Sequence, residues 1–121
     1  MTVARPFCGI RYNTENVKLS NVIVPPYDVI AADERETYFS RDPHNAIRFE
    51  LTRRAADEAD ADYAEVGETL ALWRASGVLI RDNGPRYYVM RQRFDAPTGG
   101  VLERVGFFAE LGLADYSEGI V

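Results

Sequence analysis

The feature that most constrains the fold is an apolar run that leads into two consecutive prolines. Residues 22–30 read Val-Ile-Val-Pro-Pro-Tyr-Asp-Val-Ile. Pro25 and Pro26 have restricted φ angles and no backbone N–H, so this run cannot continue as a central strand of a sheet. We therefore expect an extended segment over residues 22–24 and a stiff bend directly after it.

The bend presents Tyr27 and Asp28 at a fixed place between two apolar segments. One interpretation is a structural turn in which Asp28 accepts hydrogen bonds from backbone N–H groups. The other is a binding or catalytic loop, in which Asp28 accepts a proton or holds an ammonium ion or a magnesium-bound water. The sequence leaves both interpretations open.

The composition is that of one globular domain: 121 residues, of which 46% are hydrophobic and 27% are charged. The net charge of −5 argues against nucleic-acid binding, and no apolar run approaches the roughly 20 residues that span a bilayer. The single cysteine, Cys8, excludes an internal disulfide and indicates the reducing cytoplasm. With one cysteine and one histidine, a classical zinc site is not expected, and the acidic residues between 57 and 62 lack the spacing and the glycine of a calcium-binding loop, so no metal ligand is assigned.

The hydrophobic pattern predicts an α+β fold, with a mostly antiparallel sheet and one long and one short helix packed on one face. The long helix covers residues 62–76 and ends at Gly77. A glycine inside it, Gly67, predicts a close neighbour. Its apolar stripe is formed by Tyr63, Val66, Leu70 and Trp73. The short helix covers residues 34–40, with Asp33 as its N-cap.

Strands are predicted where apolar and polar residues alternate, at residues 7–12, 45–51, 86–94 and 101–113. Residues 52–60 form a charged link with no apolar face. If the loop over residues 95–100 closes symmetrically, the last two strands form a hairpin. Phe94 then lies opposite Val101, Met90 opposite Val105 and Tyr88 opposite Phe107, which gives one continuous apolar face.

On the other face of the hairpin, this register places Arg91 opposite Arg104, with Arg93 beside them. Like charges directly opposite each other destabilise a sheet, so we expect an anionic group nearby. Glu50 or Asp28 would serve, as would another part of a longer protein, or the phosphate or carboxylate of a ligand. The alternative is cross-strand pairing with acidic residues.

Two further pairs of polar residues are candidate ligand contacts. His44 and Asn45 lie at a corner between a predicted helix and a predicted strand, where polar groups can face a pocket. The alternative for His44 is a surface or capping histidine. Arg48 and Glu50 share one face of the predicted strand, either as a ligand clamp or as solvated charges. These patterns assign no catalytic residue and no cofactor.

Several segments of the chain together form a recognisable set. The most distinctive reads Val-Pro-Pro-Tyr-Asp-Val-Ile over residues 24–30, and the others are residues 5–12, 45–51, 73–79 and 87–89. In order and spacing they resemble the start of the bacterial and archaeal family known as "domain of unknown function 1015". The resemblance covers essentially the whole chain.

The resemblance implies that the chain is the N-terminal part of a longer protein, because members of the family continue with a Pro-His-Glu sequence. A catalytic centre of the family would then include that His-Glu pair. The resemblance also implies a link to serine metabolism, since genes of the family often lie near serine-biosynthesis genes. Phosphorylated small metabolites are the ligands that this link suggests.

Two functions are compatible with these observations. In the first, the chain is the N-terminal part of a small-molecule enzyme, and its arginines and Pro-Pro-Tyr-Asp loop hold an anionic, phosphorylated metabolite. In the second, it is a non-catalytic protein-interaction or scaffold module with an exposed apolar patch. Convergence of Tyr27, Asp28, His44 and Arg48 on one cleft favours the enzyme, and dispersal favours the module.

Overall fold

The structure, a computed structural model, describes residues 3–51, 63–115 and 117. These residues divide into two compact units. One unit is Ile10–Arg81, and the other combines the described residues up to Gly9 with those from Asp82 onward. The organisation as one domain stays a prediction.

Mixed helices and antiparallel strands confirm the predicted α+β class. In chain order the elements are β1 (Ala4–Arg5), β2 (Ile10–Tyr12), α1 (Leu19–Val22), a 3-10 turn (Tyr27–Val29), α2 (Arg35–Arg41), α3 (Ile47–Glu50), α4 (Tyr63–Ala75), β3 (Leu79–Arg81), β4 (Tyr88–Asp95), β5 (Val101–Phe108) and β6 (Glu110–Leu111). Among the described residues the strands form three two-stranded sheets, β1 with β6, β2 with β3 and β4 with β5. No helix in this part of the chain is both long and apolar enough to cross a membrane.

The core of the Ile10–Arg81 unit lies around Trp73 of α4. Trp73, Val78 and Leu79 are buried together, and Tyr12, Val17 and Phe49 pack against them. Gly77 has a φ angle of 79°, a left-handed conformation that reverses the chain directly after α4. This reversal brings Val78 and Leu79 against Trp73.

The predicted long helix is confirmed as α4, Tyr63–Ala75, although two of its details are wrong. The predicted apolar stripe is not buried as a whole: Trp73 is buried and Val66 is partly buried, but Tyr63 is 78% exposed and Leu70 is 36% exposed. A Cβ atom on Gly67 would meet no described atom within 4 Å, so no close neighbour explains this glycine. The predicted first residue of this helix, Asp62, and the charged link at residues 52–60 lie outside the described residues.

Residues 45–51 were expected as a strand, but Ile47–Glu50 form the helix α3. The Oδ1 atom of Asn45 accepts a hydrogen bond from Ile47 N at 2.9 Å, and Ala46 N donates to Val22 O at 2.7 Å. The first bond starts a helical turn, because an amide side chain that accepts from the residue two positions on competes with a strand. The apolar alternation of this segment therefore did not decide its structure.

The segment before the prolines is also shorter than expected, because α1 extends to the buried Val22. Only Ile23 and the residues after it are extended, with a ψ angle of 151° at Ile23. Pro26, with a φ angle of −54°, then begins the predicted bend, and Val29 N donates to Pro26 O at 3.1 Å. The bend is confirmed, and the extended conformation of Val22 is wrong.

The short helix α2, Arg35–Arg41, confirms the predicted helix within one residue. Its N-cap position is Glu34 rather than Asp33, and no side-chain hydrogen bond caps it there. The Glu34 carboxylate instead accepts a bond from Ala31 N at 3.1 Å. The helix ends before the extended Asp42, because the residue before a proline avoids helical geometry.

The β4–β5 hairpin of the other unit pairs one residue away from the predicted register. Asp95 lies opposite Val101, and Phe94 lies opposite Leu102 rather than Val101. The loop is one residue shorter than expected, because Ala96 N donates to Gly100 O at 2.9 Å and leaves Asp95 in the strand.

The strands predicted over residues 7–12 and 101–113 are both shorter than expected. The predicted strand over residues 101–113 is interrupted after Phe108, and β6 pairs with β1. In the range 7–12, Phe7 makes an isolated bridge to Arg86, and β2 begins at Ile10.

Candidate functional site

The polar residues that the structure brings together surround the corner after α2. The Oδ1 atom of Asp42 accepts a hydrogen bond from His44 N at 2.7 Å and lies 3.6 Å from His44 Nδ1. This turn follows from the Asp-Pro-His sequence, because aspartate readily accepts from the backbone two residues on. The imidazole meets the Trp73 ring edge-on, with 5.4 Å between the ring centres. The His44 side chain is 35% exposed, so it is packed on one side and accessible to solvent on another.

Tyr12 of β2 lies in the same corner. Its hydroxyl donates to His44 O at 2.8 Å, and its ring centre is 6.2 Å from that of Trp73. Burial raises the pKa of Tyr12 to about 12; the nearby charge of Asp42 also raises it, and that of Arg48 lowers it. The hydroxyl is therefore a protonated donor at neutral pH, where it holds the backbone of His44 in place.

Asn45 is fully buried and connects two helical segments. Its Nδ2 atom donates to Asn21 O at 2.7 Å, while its Oδ1 atom accepts from Ile47 N. Because Asn21 belongs to α1 and Ile47 begins α3, one amide joins both elements. The structure gives this side chain a structural role, and ligand binding by Asn45 stays a prediction.

Arg48 stabilises the end of α2. Its Nη1 atom donates to Asp42 O at 3.0 Å and its Nη2 atom to Phe39 O at 3.2 Å. The guanidinium also lies 5.0 Å from the centre of the Phe39 ring. These carbonyls follow the last turn of a helix, where a cation is favoured. Glu50 is exposed, and its predicted common strand face with Arg48 is wrong, because residues two apart in a helix face different directions.

Tyr27 and Asp28 lie on the 3-10 turn after the prolines. Tyr27 is 63% exposed, and Asp28 is also exposed. Among the described residues, no backbone N–H donates to the Asp28 carboxylate, so this turn is held by its main-chain bonds and by Pro26. A ligand-binding role for the two side chains stays a prediction.

Arg91 and Arg104 belong to the hairpin of the other unit, and their predicted opposition is wrong. Arg91 lies opposite Val105, and Arg104 lies opposite Gln92, so the two arginines are on different faces. Arg104 donates to Gln92 Oε1 through Nε, at 2.9 Å, and through Nη2. The Nε atom of Arg91 is 3.7 Å from Glu103 Oε1. Because the two arginines do not lie opposite each other, no repulsion between them requires an anion nearby. Ligand binding by these arginines stays a prediction.

The structure thus brings His44, Asn45 and Arg48 into one corner. Sequence reasoning missed two members of this corner, Asp42 and Tyr12. Asp42 had a signal, because an Asp-Pro pair at a helix end favours a turn that involves the aspartate. Tyr12 had none beyond its place in an alternating segment. No group of three or more His, Cys, Asp or Glu in residues 3–51, 63–115 and 117 is arranged to hold a metal ion.

A family model described as "Protein of unknown function (DUF1015)" matches residues 4–121. This match covers nearly the whole chain and agrees with the resemblance of its motifs. No curated protein and no solved structure matches the chain. The description of the family names no chemistry, so a function can be inferred only from the side chains of this chain.

Proposed function

Because the chain belongs to the DUF1015 family, whose description leaves the function open, we propose a function from the corner around His44. The chain is the N-terminal part of a small-molecule enzyme that acts on an anionic, phosphorylated metabolite. The observation that supports this proposal is the accessible imidazole of His44, with the Asp42 carboxylate 3.6 Å from Nδ1. A carboxylate beside one imidazole nitrogen orients the ring and leaves the other nitrogen for proton transfer.

The surroundings of His44 suit this role. Its backbone is held on one side by Asp42 and on the other by the hydroxyl of Tyr12. Its ring is packed against Trp73. A general acid–base group must keep a fixed geometry toward its substrate, and these contacts supply that constraint.

The class of metabolite is proposed from charge and from the family resemblance. A phosphorylated amino acid such as O-phosphoserine carries a phosphate, which arginines bind, and an ammonium group, which a carboxylate binds. Asp28 offers an exposed carboxylate for the ammonium group or for a magnesium-bound water. The link to serine metabolism that the resemblance implies agrees with such a ligand.

The single histidine of the chain makes the test direct, because it gives one set of imidazole signals in NMR spectra. The protein is titrated with O-phosphoserine and, separately, with inorganic phosphate and sodium chloride at matched ionic strength. We expect O-phosphoserine to shift the His44 imidazole signals in a saturable way, and sodium chloride to leave them unchanged. The variant His44→Gln assigns the signals. Absence of binding by both phosphate ligands in calorimetry would overturn the proposal.

A second candidate function, a non-catalytic interaction module, is favoured by the β4–β5 hairpin. Val89 is 73% exposed and Phe107 is 66% exposed, which is unusual for large apolar side chains on a sheet. Together with Ala4 and Tyr87 they line an apolar cleft of about 400 Å³.

This candidate is tested by sedimentation velocity over a range of protein concentrations. Self-association that Phe107→Lys removes supports an interaction surface on the hairpin. Leu19→Lys, at an exposed apolar position of the other unit, is the matched control. A mass that stays monomeric at every concentration gives this candidate no support.

A further inference from the structure

We infer that a groove between the end of α4 and β3 binds an organic anion that carries an apolar group. The groove has a volume of about 580 Å³. Its lining includes four apolar side chains and two arginines, namely Ala71, Ala75, Leu79, Ile80, Arg74 and Arg81. The inference rests on the proposed function for the charge of the ligand, and it assigns a site to residues that the sequence analysis did not select.

The groove exists because of small residues on one helix face. Ala71, Arg74 and Ala75 are spaced three and four residues apart, so they lie on the same side of α4. The buried Trp73 packs into the core from a different side of the helix. Two alanines fill little space, and the reversal at Gly77 returns the chain as β3 beside them. An open space therefore remains between the helix and the strand.

The charge of the groove has one sign. Arg74 and Arg81 are both exposed, and none of the described residues that line the groove carries a carboxylate. Guanidinium groups bind phosphate and carboxylate through two parallel N–H bonds, which makes a pair of arginines a good receptor for such an anion. Arg74 also lies in the last turn of α4, where the helix dipole favours its positive charge.

The apolar part of the groove lining indicates what the uncharged part of the ligand is. Ala71, Ala75 and Ile80 offer hydrocarbon surface next to the two cations. A free inorganic anion would use only the arginines, whereas an anion with an attached apolar group would also cover this surface. The volume falls within the range typical of small-molecule sites, about 300–1,000 Å³. The ligand class is thus a small organic phosphate or carboxylate with an apolar group.

The test is a ¹H–¹⁵N NMR titration of the complete chain with phenyl phosphate, benzoate and inorganic phosphate. We expect phenyl phosphate to shift the amide signals of Gly77, Leu79 and Ile80, and to bind at least about tenfold more tightly than inorganic phosphate. Benzoate shows whether the site accepts a carboxylate as well as a phosphate. Benzoate binding as tight as that of phenyl phosphate identifies a site for both anions. Shifts confined to other parts of the chain would overturn the inference.

Variants supply a second measurement that does not depend on signal assignment. Arg74→Met and Arg81→Met are each expected to weaken phenyl phosphate binding about tenfold, while the matched control Arg86→Met, at an exposed position, leaves it unchanged. Thermal unfolding of each variant shows whether the fold is retained, and Arg74→Gln or Arg81→Gln replaces the corresponding methionine variant if that variant unfolds. Binding that survives both methionine variants and still shifts His44 rejects the groove but keeps the proposed function. Absence of binding by phenyl phosphate and benzoate rejects the groove, and absence of binding by O-phosphoserine and inorganic phosphate as well rejects the proposed function.

Discussion

At the residue scale, the fully buried Asn45 joins two helical segments of the Ile10–Arg81 unit. It is the one buried polar or charged residue among the described residues, and it bonds both Asn21 O and Ile47 N. A buried polar group without its partners costs more than the net gain from one hydrogen bond, because it has already lost its water. The segment that leads to the Pro-Pro-Tyr-Asp turn therefore depends on this amide.

Replacing Asn45 with alanine is expected to lower the free energy of unfolding by about 2–4 kcal/mol, because two backbone groups lose their buried partner. Urea denaturation followed by Trp73 fluorescence measures the change. The matched control is Asn83→Ala in an exposed turn, which is expected to change stability by less than about 0.5 kcal/mol. Equal effects of the two substitutions would show that Asn45 has no special structural role.

Tyr12 makes the stability of the fold depend on pH in the alkaline range. Its pKa is about 12 in the folded chain against an ordinary value of 10.0, so the unfolded chain loses this proton first as the pH rises. The contribution is complete below pH 10 and is lost as the pH rises toward 12. Tyr12→Phe is therefore expected to flatten the fall in the free energy of unfolding over this interval. Tyr63→Phe, at an exposed position, is expected to retain the wild-type slope in parallel urea titrations.

At the scale of elements, α2 is closed by a side chain from outside the helix. The Arg48 guanidinium binds the carbonyl oxygens of Phe39 and Asp42, which the helix leaves without intrahelical partners. A helix of seven residues is too short to be stable alone, so this cap and the burial of Phe39 determine whether it forms.

Arg48→Met is expected to lower the free energy of unfolding by about 1–3 kcal/mol, because it removes charge-assisted bonds to both carbonyls. Arg48→Lys should recover only part of this loss, since an ammonium lacks the planar fork of the guanidinium. Arg41→Met, in α2 itself and exposed, is expected to cost about 1 kcal/mol or less. If Arg48 instead serves a ligand, its methionine variant would keep wild-type stability in chemical denaturation.

The two glycines of the α4 region are expected to respond to alanine in opposite directions. Gly67 lies inside the helix with open space around its Cβ position, so Gly67→Ala should stabilise the fold by about 0.5–1 kcal/mol. Gly77 has a φ angle of 79°, so Gly77→Ala should destabilise it by about 1 kcal/mol or more. Thermal unfolding of both variants against wild type checks the signs, and a shift in the same direction for both would contradict the assignment.

At the scale of the whole molecule, the buried apolar side chains of the described residues are concentrated in one unit. Val22, Phe39, Ile47, Trp73, Val78 and Leu79 all belong to Ile10–Arg81. In the other unit, the β4–β5 hairpin pairs only with itself among the described strands and exposes apolar side chains on both faces. A two-stranded hairpin with little burial has few tertiary contacts to stabilise it.

Hydrogen exchange measured by mass spectrometry is expected to show this difference directly. Amides of α4 and β3 should be the best protected, and amides of β4 and β5 should exchange much earlier, because local opening of the hairpin exposes little additional apolar surface. Protection of the hairpin equal to that of α4 would show that another surface covers it in solution. That result would favour the interaction module over the enzyme.

Much of the Ile10–Arg81 unit could be predicted because its signals are local. The 3.6-residue pattern and Gly77 predicted α4 and its end, and Asp42-Pro43 predicted the end of α2. The candidate site was predicted less well. His44 and Arg48 were selected, but two residues that contact His44, Tyr12 and Trp73, are distant from it in the sequence; Tyr12 lies 32 residues before it. No local pattern carries that information.

By itself, the sequence determined the features that depend on a few neighbouring residues: the long helix, the glycine reversal, the proline bend and the motifs that identify the family. Tertiary structure decided the features for which local preferences were balanced. Residues 45–51 alternate like a strand, yet Asn45 bonds Asn21, 24 residues earlier, and starts a helix. The hairpin register, by contrast, differs by one residue from the prediction because of a local bond within the loop, from Ala96 N to Gly100 O. The reason is physical: when two local conformations differ by about 1 kcal/mol, one distant hydrogen bond is enough to choose between them.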